Sequence, residues 1–210
     1  MFHTEILSEE QKQLLSLVQL FKKEYYLVGG TAIALHIGHR KSIDFDLFTS
    51  RKIPHILIKK IISEQAPVPP IFSYEADDQM HLRIGVVKIT FFQYPYDVPH
   101  AVKYNEIITL PSLLDLAAMK AFAFSQRAKW KDYVDMYFML KHHFTLREIA
   151  ARTEELFNLN GSIVFTEKLL RQQISFFSNI DFSEPVEFIA APVKEDEIKK
   201  FLAEAATAPF

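Results

Sequence analysis

No cysteine occurs in the 210 residues. That excludes disulfides, thiolate catalysis and cysteine-based zinc sites, and it fits a reducing compartment. No apolar run reaches the roughly 20 residues that a membrane-spanning helix needs. The start, MFHTEILSEEQKQLL, lacks the basic-then-apolar order of a secretion signal. The expected location is therefore the cytoplasm, with no membrane partner. A dominant charge is missing too: 24 Lys and Arg stand against 26 Asp and Glu, so no general polyanion-coating surface is expected, only a local basic patch. The H-E-x-x-H metal spacing, the P-loop, the G-x-S-x-G elbow and the dinucleotide fingerprint are all absent. Glycine is scarce at five residues, and only Gly29 and Gly30 adjoin.

That pair lies in YYLVGGTAIALHIGHRKSIDFDLFT, residues 25 to 49, the stretch around which the chain is organised. Tyr25 to Val28 reads as a strand, the glycines as a turn, Thr31 to Ile37 as a short helix closed by Gly38, and Ile43 to Phe48 as a second strand. Strand alternation puts Asp44 and Asp46 on one face and Ile43, Phe45 and Leu47 on the other. Two like charges side by side on a rigid element are costly unless a cation lies between them, and a divalent metal is the usual answer.

The rest of the chain supplies a frame. Ser8, an acidic first turn and Gln11 start a helix that ends near Lys22 to Glu24. Pro54 opens another, running to Gln65, with Ile56, Leu57, Ile61 and Ile62 as its buried face. Phe72 to Ala76 and His81 to Tyr94 read as strands joined by Asp77-Asp78-Gln79, and Asn105 to Thr109 as a short edge strand. From Pro111 the periodicity is helical over Leu113 to Gln126, Lys131 to His142, Leu146 to Leu156, Ser162 to Phe177 and Glu195 to Ala206. The expected organisation is an α/β core over residues 1–109 and a helical region over 110–210 packed on it.

A Gly-Gly turn between strand and helix lets backbone pass close to a phosphate, with the free amides of the helix start facing it. Asp44 follows Gly30 by 14 residues, so a phosphate cradle returns beside a candidate metal pair. Phosphoryl-transfer enzymes use that combination, because metal must neutralise the triphosphate while the chain fixes its geometry. Arg40, in the basic loop His39-Arg40-Lys41, is a candidate for steering the phosphates. Lys120 sits in the apolar helix LAAMKAFAF, where it either snorkels to the surface or presents a point charge to a phosphate. Asp132 and Asp135 share a helix face. The turn Arg127, Lys129, Lys131 is a candidate phosphate contact or a solvated helix end.

Val28-Gly29-Gly30-Thr31 followed by Asp44-Phe45-Asp46 resembles the signature of the DNA polymerase β-like nucleotidyltransferase superfamily. With Leu113 to Lys120 (LLDLAAMK) and Lys131 to Tyr137 (KDYVDMY), the chain is similar to the AbiEii/AbiGii toxin family of nucleotidyltransferase-like proteins. The resemblance implies an α+β nucleotidyltransferase-like fold, a mixed sheet flanked by helices and followed by a helical C-terminal region. It also implies Mg²⁺- or Mn²⁺-dependent transfer of NMP from an NTP, and a toxin role beside a cognate antitoxin. Asp44 and Asp46 would hold the metal, Gly29, Gly30 and Thr31 would cradle the phosphates, and Lys120 would neutralise developing charge. Asp135, with Asp132 second, would orient the acceptor, either a tRNA end or a protein hydroxyl. One departure stands out. Superfamily members often carry a third carboxylate on a later strand, where this chain offers Thr90 or Lys88, with Asp97 and Asp135 as stand-ins. Without it, the alternative is a nucleotide-binding or partner-binding module that has lost turnover.

Overall fold

The computed structural model describes residues 2–124 and 129–209. The chain divides into two units, Met1–Ser112 and Leu113–Phe210. Helix α1, Glu9–Gln19, opens on a complete capping box: the Ser8 hydroxyl accepts from the Gln11 backbone, and the Gln11 side chain accepts from the Ser8 N–H. Next come β1 (Tyr26–Val28), α2 (Gly29–Ile37), β2 (Phe45–Thr49) and α3 (His55–Gln65). Five strands complete the unit: β3 (Ile71–Ala76), β4 (Gln79–Ile84), β5 (Val87–Gln93), β6 (Val102–Tyr104) and β7 (Ile108–Leu110).

These seven strands form one sheet in the order β3-β4-β5-β2-β1-β7-β6. It is mixed: β2 runs parallel to β5 and β1 to β7, while the other neighbours are antiparallel. Its two faces differ sharply. Phe45, Leu47, Met80, Leu82, Ile89 and Phe91 are at most 2% exposed, and the Phe21 and Tyr25 rings beyond the end of α1 meet Phe91 edge-on at 5.0 and 5.2 Å. Burying six such side chains supplies on the order of 10 kcal/mol of hydrophobic stabilisation before chain entropy is counted. The opposite face carries Asp46, Phe48, Gln79, His81, Thr90 and Phe92, all half-buried.

Four expectations change here. The run His81 to Tyr94 is two strands, not one, because Gly85 at φ +59° turns the chain between β4 and β5. The strand near Asn105 is not an edge: β7 lies between β1 and β6. The buried face of α3 is Ile58 and Ile62, an i, i+4 pair, while Ile56 and Leu57 are 87% and 53% exposed. Pro54 precedes α3 as its cap rather than entering its first turn.

The second unit holds α4 (Leu113–Phe124), α5 (Trp130–His142), α6 (Leu146–Phe157), α7 (Glu167–Ile174) and α8 (Glu195–Thr207). The helix expected over Ser162 to Phe177 is shortened to α7, which the Thr166 side chain caps. Phe122 stacks on Phe157 between α4 and α6 at 4.2 Å. Tyr137 of α5 donates to Glu197 of α8 at 2.7 Å and meets the Phe201 ring. Arg171 of α7 donates to the carbonyls of Ala205, Ala206 and Ala208, closing the C-terminal end of α8. Among the described residues no helix is long and apolar enough to cross a membrane.

Candidate active site

The turn at the end of β1 places the first candidate residues. Val28 pairs with Asp46 across β1 and β2, so the chain leaves the ladder at Gly29 directly beside the Asp46 carboxylate. Gly29 has φ +72°, and a Cβ there would lie 2.2 Å from Asp46 Oδ2. Only glycine meets both the conformation and the space. A Cβ on Gly30 would lie 2.5 Å from Arg40 Nη2 and 3.0 Å from Ser42 Oγ. Helix α2 therefore starts with two bare backbone units, and no side chain caps it. Its first-turn amides lack intrahelical acceptors, which makes this end an anion site in waiting.

The loop after α2 braces this turn. Arg40 is only 3% exposed, and one guanidinium nitrogen donates to the Lys41 carbonyl at 2.9 Å while the other lies under Gly30. The Thr31 hydroxyl is at 3.0 Å from Ser42 Oγ and in short contact with the Asp44 carbonyl. Thr31 thus spends its hydroxyl on the loop and has its backbone N–H left to offer a phosphate. The same bonds explain why β2 begins at Phe45 and not at Ile43: the backbone before it is tied to Thr31 instead of to a neighbouring strand. Asp44 lies in this tied segment and Asp46 on the strand, and both are half-buried.

Along the open sheet face the register is unambiguous. Thr90 pairs with Asp46 and His81 pairs with Thr90, so β2, β5 and β4 present Asp46, Thr90 and His81 in one row. Thr90 occupies the neighbouring-strand position, and Lys88 is one step away on the same face. His81 Nε2 lies 3.1 Å from Gln79 Oε1 and its ring 5.2 Å from that of Tyr74. Burial lowers the His81 pKa from its ordinary 6.5 and nearby Lys88 lowers it further, while Asp46 pulls it back up. The next row is aromatic: Phe48 meets Phe92 at 5.1 Å and Tyr94 at 5.0 Å. Asp97 is exposed in the loop after β5.

Within the helical unit, Lys120, Asp132 and Asp135 meet. Lys120 Nζ is 2.6 Å from Asp132 Oδ1 and 3.0 Å from Asp135 Oδ2. Exposures of 6%, 1% and 0% make this a buried ionic cluster. Lys120 therefore does not snorkel, and both carboxylates lie against its ammonium. Lys131 and Lys129 share Glu184; partial burial pushes its carboxyl up, and the two ammonium groups outweigh that and hold it at about 2. Arg127 lies outside the described residues.

Among the described residues no group of three or more His, Asp or Glu is placed to hold a metal. Two carboxylates still fit magnesium, which keeps several waters and takes one or two carboxylates together with substrate phosphates. The donor set suits a metal that arrives with a triphosphate. Sequence reasoning missed Ser42 and His81. The signal for His81 was Gly85, whose turn brings β4 back alongside β5.

Comparisons with known proteins identify the family and the fold. The family model described as "Nucleotidyl transferase AbiEii toxin, Type IV TA system" matches residues 13–208. An uncharacterized protein of Aquifex aeolicus (strain VF5) is 32% identical over 184 residues, covering 84% of this chain and 79% of that one. Among solved structures, MenT4, a nucleotidyltransferase toxin from Mycobacterium tuberculosis H37Rv, is similar in fold with a TM-score of 0.61 at 12% identity, covering 94% of this chain and 80% of that one. JHP933 from Helicobacter pylori is similar with a TM-score of 0.54 at 18% identity, covering 95% and 91%. With its Gly-Gly turn wedged against Asp46 in a mixed sheet, and a family model spanning nearly its whole length, the chain belongs to the AbiEii nucleotidyltransferase toxins of type IV toxin–antitoxin systems.

Proposed function

We propose that the protein transfers a nucleoside monophosphate from an NTP to a hydroxyl of an RNA end or a protein, in a magnesium-dependent reaction that a cognate antitoxin opposes. The contact that supports this most directly is Gly29 against Asp46 Oδ2. It sets bare helix-start amides beside a carboxylate, the pairing a metal-bound triphosphate needs. The β- and γ-phosphates would lie at the backbone of Gly29, Gly30 and Thr31, with Arg40 supporting the turn from beneath. Asp44 and Asp46 would hold Mg²⁺ or Mn²⁺, which when bound supplies charge neutralisation on the triphosphate. Phe48, Phe92 and Tyr94 offer rings of the kind on which nucleobases stack. The transfer roles expected for Lys120, Asp135 and Asp132 belong to the same proposal.

The test is transfer of α-labelled NTP, each of the four in turn, to total RNA and total protein with Mg²⁺ or Mn²⁺. We expect label in one acceptor class, reduced at least about a hundredfold by Asp44→Asn or Asp46→Asn, the scale on which losing a charge-stabilising group acts. Absence of label from both classes in every combination would refute the activity.

A second reading keeps the nucleotide and drops the turnover. It is favoured by Thr90, which places a hydroxyl beside Asp46 where a third carboxylate would complete the site. Calorimetry separates the two readings: NTP binding lost in Asp44→Asn, in a protein that transfers nothing, identifies a binding module.

A further inference from the structure

His81 faces the reaction side of the sheet, in line with Asp46, and the expected site gives it no role. Strand register makes its position definite. Asp46, Thr90 and His81 are successive members of one row across β2, β5 and β4, so the imidazole stands two strand spacings, about 10 Å between Cα atoms, from Asp46. The residue between them contributes only a hydroxyl. A small group resting over Thr90 would have the carboxylate on one side and the imidazole on the other. Its hydrogen bond also orients the ring. Gln79 Oε1, 3.1 Å from Nε2, can only accept. In the tautomer that this contact favours, Nε2 carries the hydrogen and Nδ1 of the neutral ring is the basic nitrogen.

We propose that His81 is the general base of this protein, taking through Nδ1 the proton of the acceptor hydroxyl over Thr90. The inference rests on the transfer reading above. In the step, the acceptor O–H gives its proton to Nδ1 as its oxygen bonds to the α-phosphorus. The bond from that phosphorus to the α,β-bridging oxygen breaks, and pyrophosphate leaves with the electron pair. The imidazolium then releases its proton to solvent, so no further reactant is needed. Thr90 gives the acceptor room without competing for its proton, and His81 does the work a third carboxylate would otherwise do.

Among the described residues of the sheet, the charged and titratable groups that register places on the His81 side nearby are Asp46 on β2, Lys88 on β5, Tyr74 on β3 and Arg83 on its own strand, and of these Lys88 and Asp46 act on its charge. Burial and Lys88 disfavour the imidazolium, and Asp46 partly offsets them. The net direction is down, so the neutral base form persists below the ordinary 6.5. Transfer should therefore stay on a plateau at neutral pH and fall only as pH drops through this lowered value.

The test pairs kinetics with NMR on the full chain. His81→Gln should lower transfer on the order of a hundredfold, the typical contribution of a positioned base. It should keep the NTP Kd within about twofold and lose the acid limb of the rate profile. Lys88→Met keeps the histidine and removes a neighbouring cation, so its acid limb should move to higher pH. In the protein without nucleotide, the His81 ring resonance should titrate below 6.5 and shift upward in Lys88→Met. A wild-type protein that transfers while His81→Gln keeps the same acid limb overturns this inference and leaves the transfer reading standing. A His81 titration at or above 6.5, unmoved by Lys88→Met, also overturns it. If wild type transfers nothing at any pH, the transfer reading and this one fall together.

Discussion

Lys120→Met should destabilise the helical unit by about 3–5 kcal/mol, the range found when one partner of a buried ion pair is removed. The reason is local charge balance. Asp132 and Asp135 are 1% and 0% exposed and lie 2.6 and 3.0 Å from the ammonium. Methionine matches the length of the lysine stem and leaves two carboxylates facing one another without that cation. Like charges at such range resist simultaneous ionisation. Urea unfolding followed by far-UV circular dichroism measures the loss. The triple variant Lys120→Met, Asp132→Asn, Asp135→Asn should recover much of it, because it removes the repulsion together with the attraction. An unchanged midpoint in Lys120→Met would contradict the prediction, and if transfer were then lost, the lysine would be acting on the chemistry alone.

The second large effect is expected at Gly29. Alanine there meets two obstacles, a φ of +72° and a Cβ placed 2.2 Å from Asp46 Oδ2. The backbone term is about 1–2 kcal/mol for a residue with a Cβ in the left-handed region. The clash is relieved by rotation of the Asp46 carboxylate, because a side-chain end yields more easily than a strand. That rotation takes the carboxylate proposed to hold the metal away from its place. Losing one charge-assisted contact is worth about 1.5–3 kcal/mol, so the affinity for Mg–NTP should fall roughly tenfold to a hundredfold. Calorimetric titration of Gly29→Ala gives the answer, and a wild-type Kd would refute the cradle. Gly30→Ala offers a comparison. Its Cβ meets the Arg40 guanidinium, so the strain falls on the support beneath the turn and not on a carboxylate.

Much of this was legible in the residues. The Ser8 capping box, the strand ending at Val28, the turn at Gly29-Gly30 and the helices of the second half all follow from side-chain chemistry within a few positions, which a sequence displays. The reading failed where distant partners decide. Asp44 and Asp46 were placed by alternation on one strand, yet Thr31 binds the Asp44 carbonyl and keeps that residue out of the ladder. Ile56 and Leu57 have the right character for a core face, but the helix exposes them and buries Ile58 beside the expected Ile62. The buried cluster of Lys120 with Asp132 and Asp135 needed the relative rotation of α4 and α5. No spacing within either helix encodes that rotation.

The wedging of Gly29 against Asp46, and of Gly30 against Arg40 and Ser42, also bears on how this segment can change over generations. Turn, helix, loop and carboxylate touch one another at distances that leave no room for a methyl group. A single substitution at either glycine has to displace a residue ten or more positions away, and a loop insertion between Gly38 and Asp44 would pull the Thr31 anchor loose. Residues 28–46 therefore behave as one heritable block. Transplanting the block whole into a related scaffold should preserve nucleotide recognition, whereas chimaeras joined inside it should lose it.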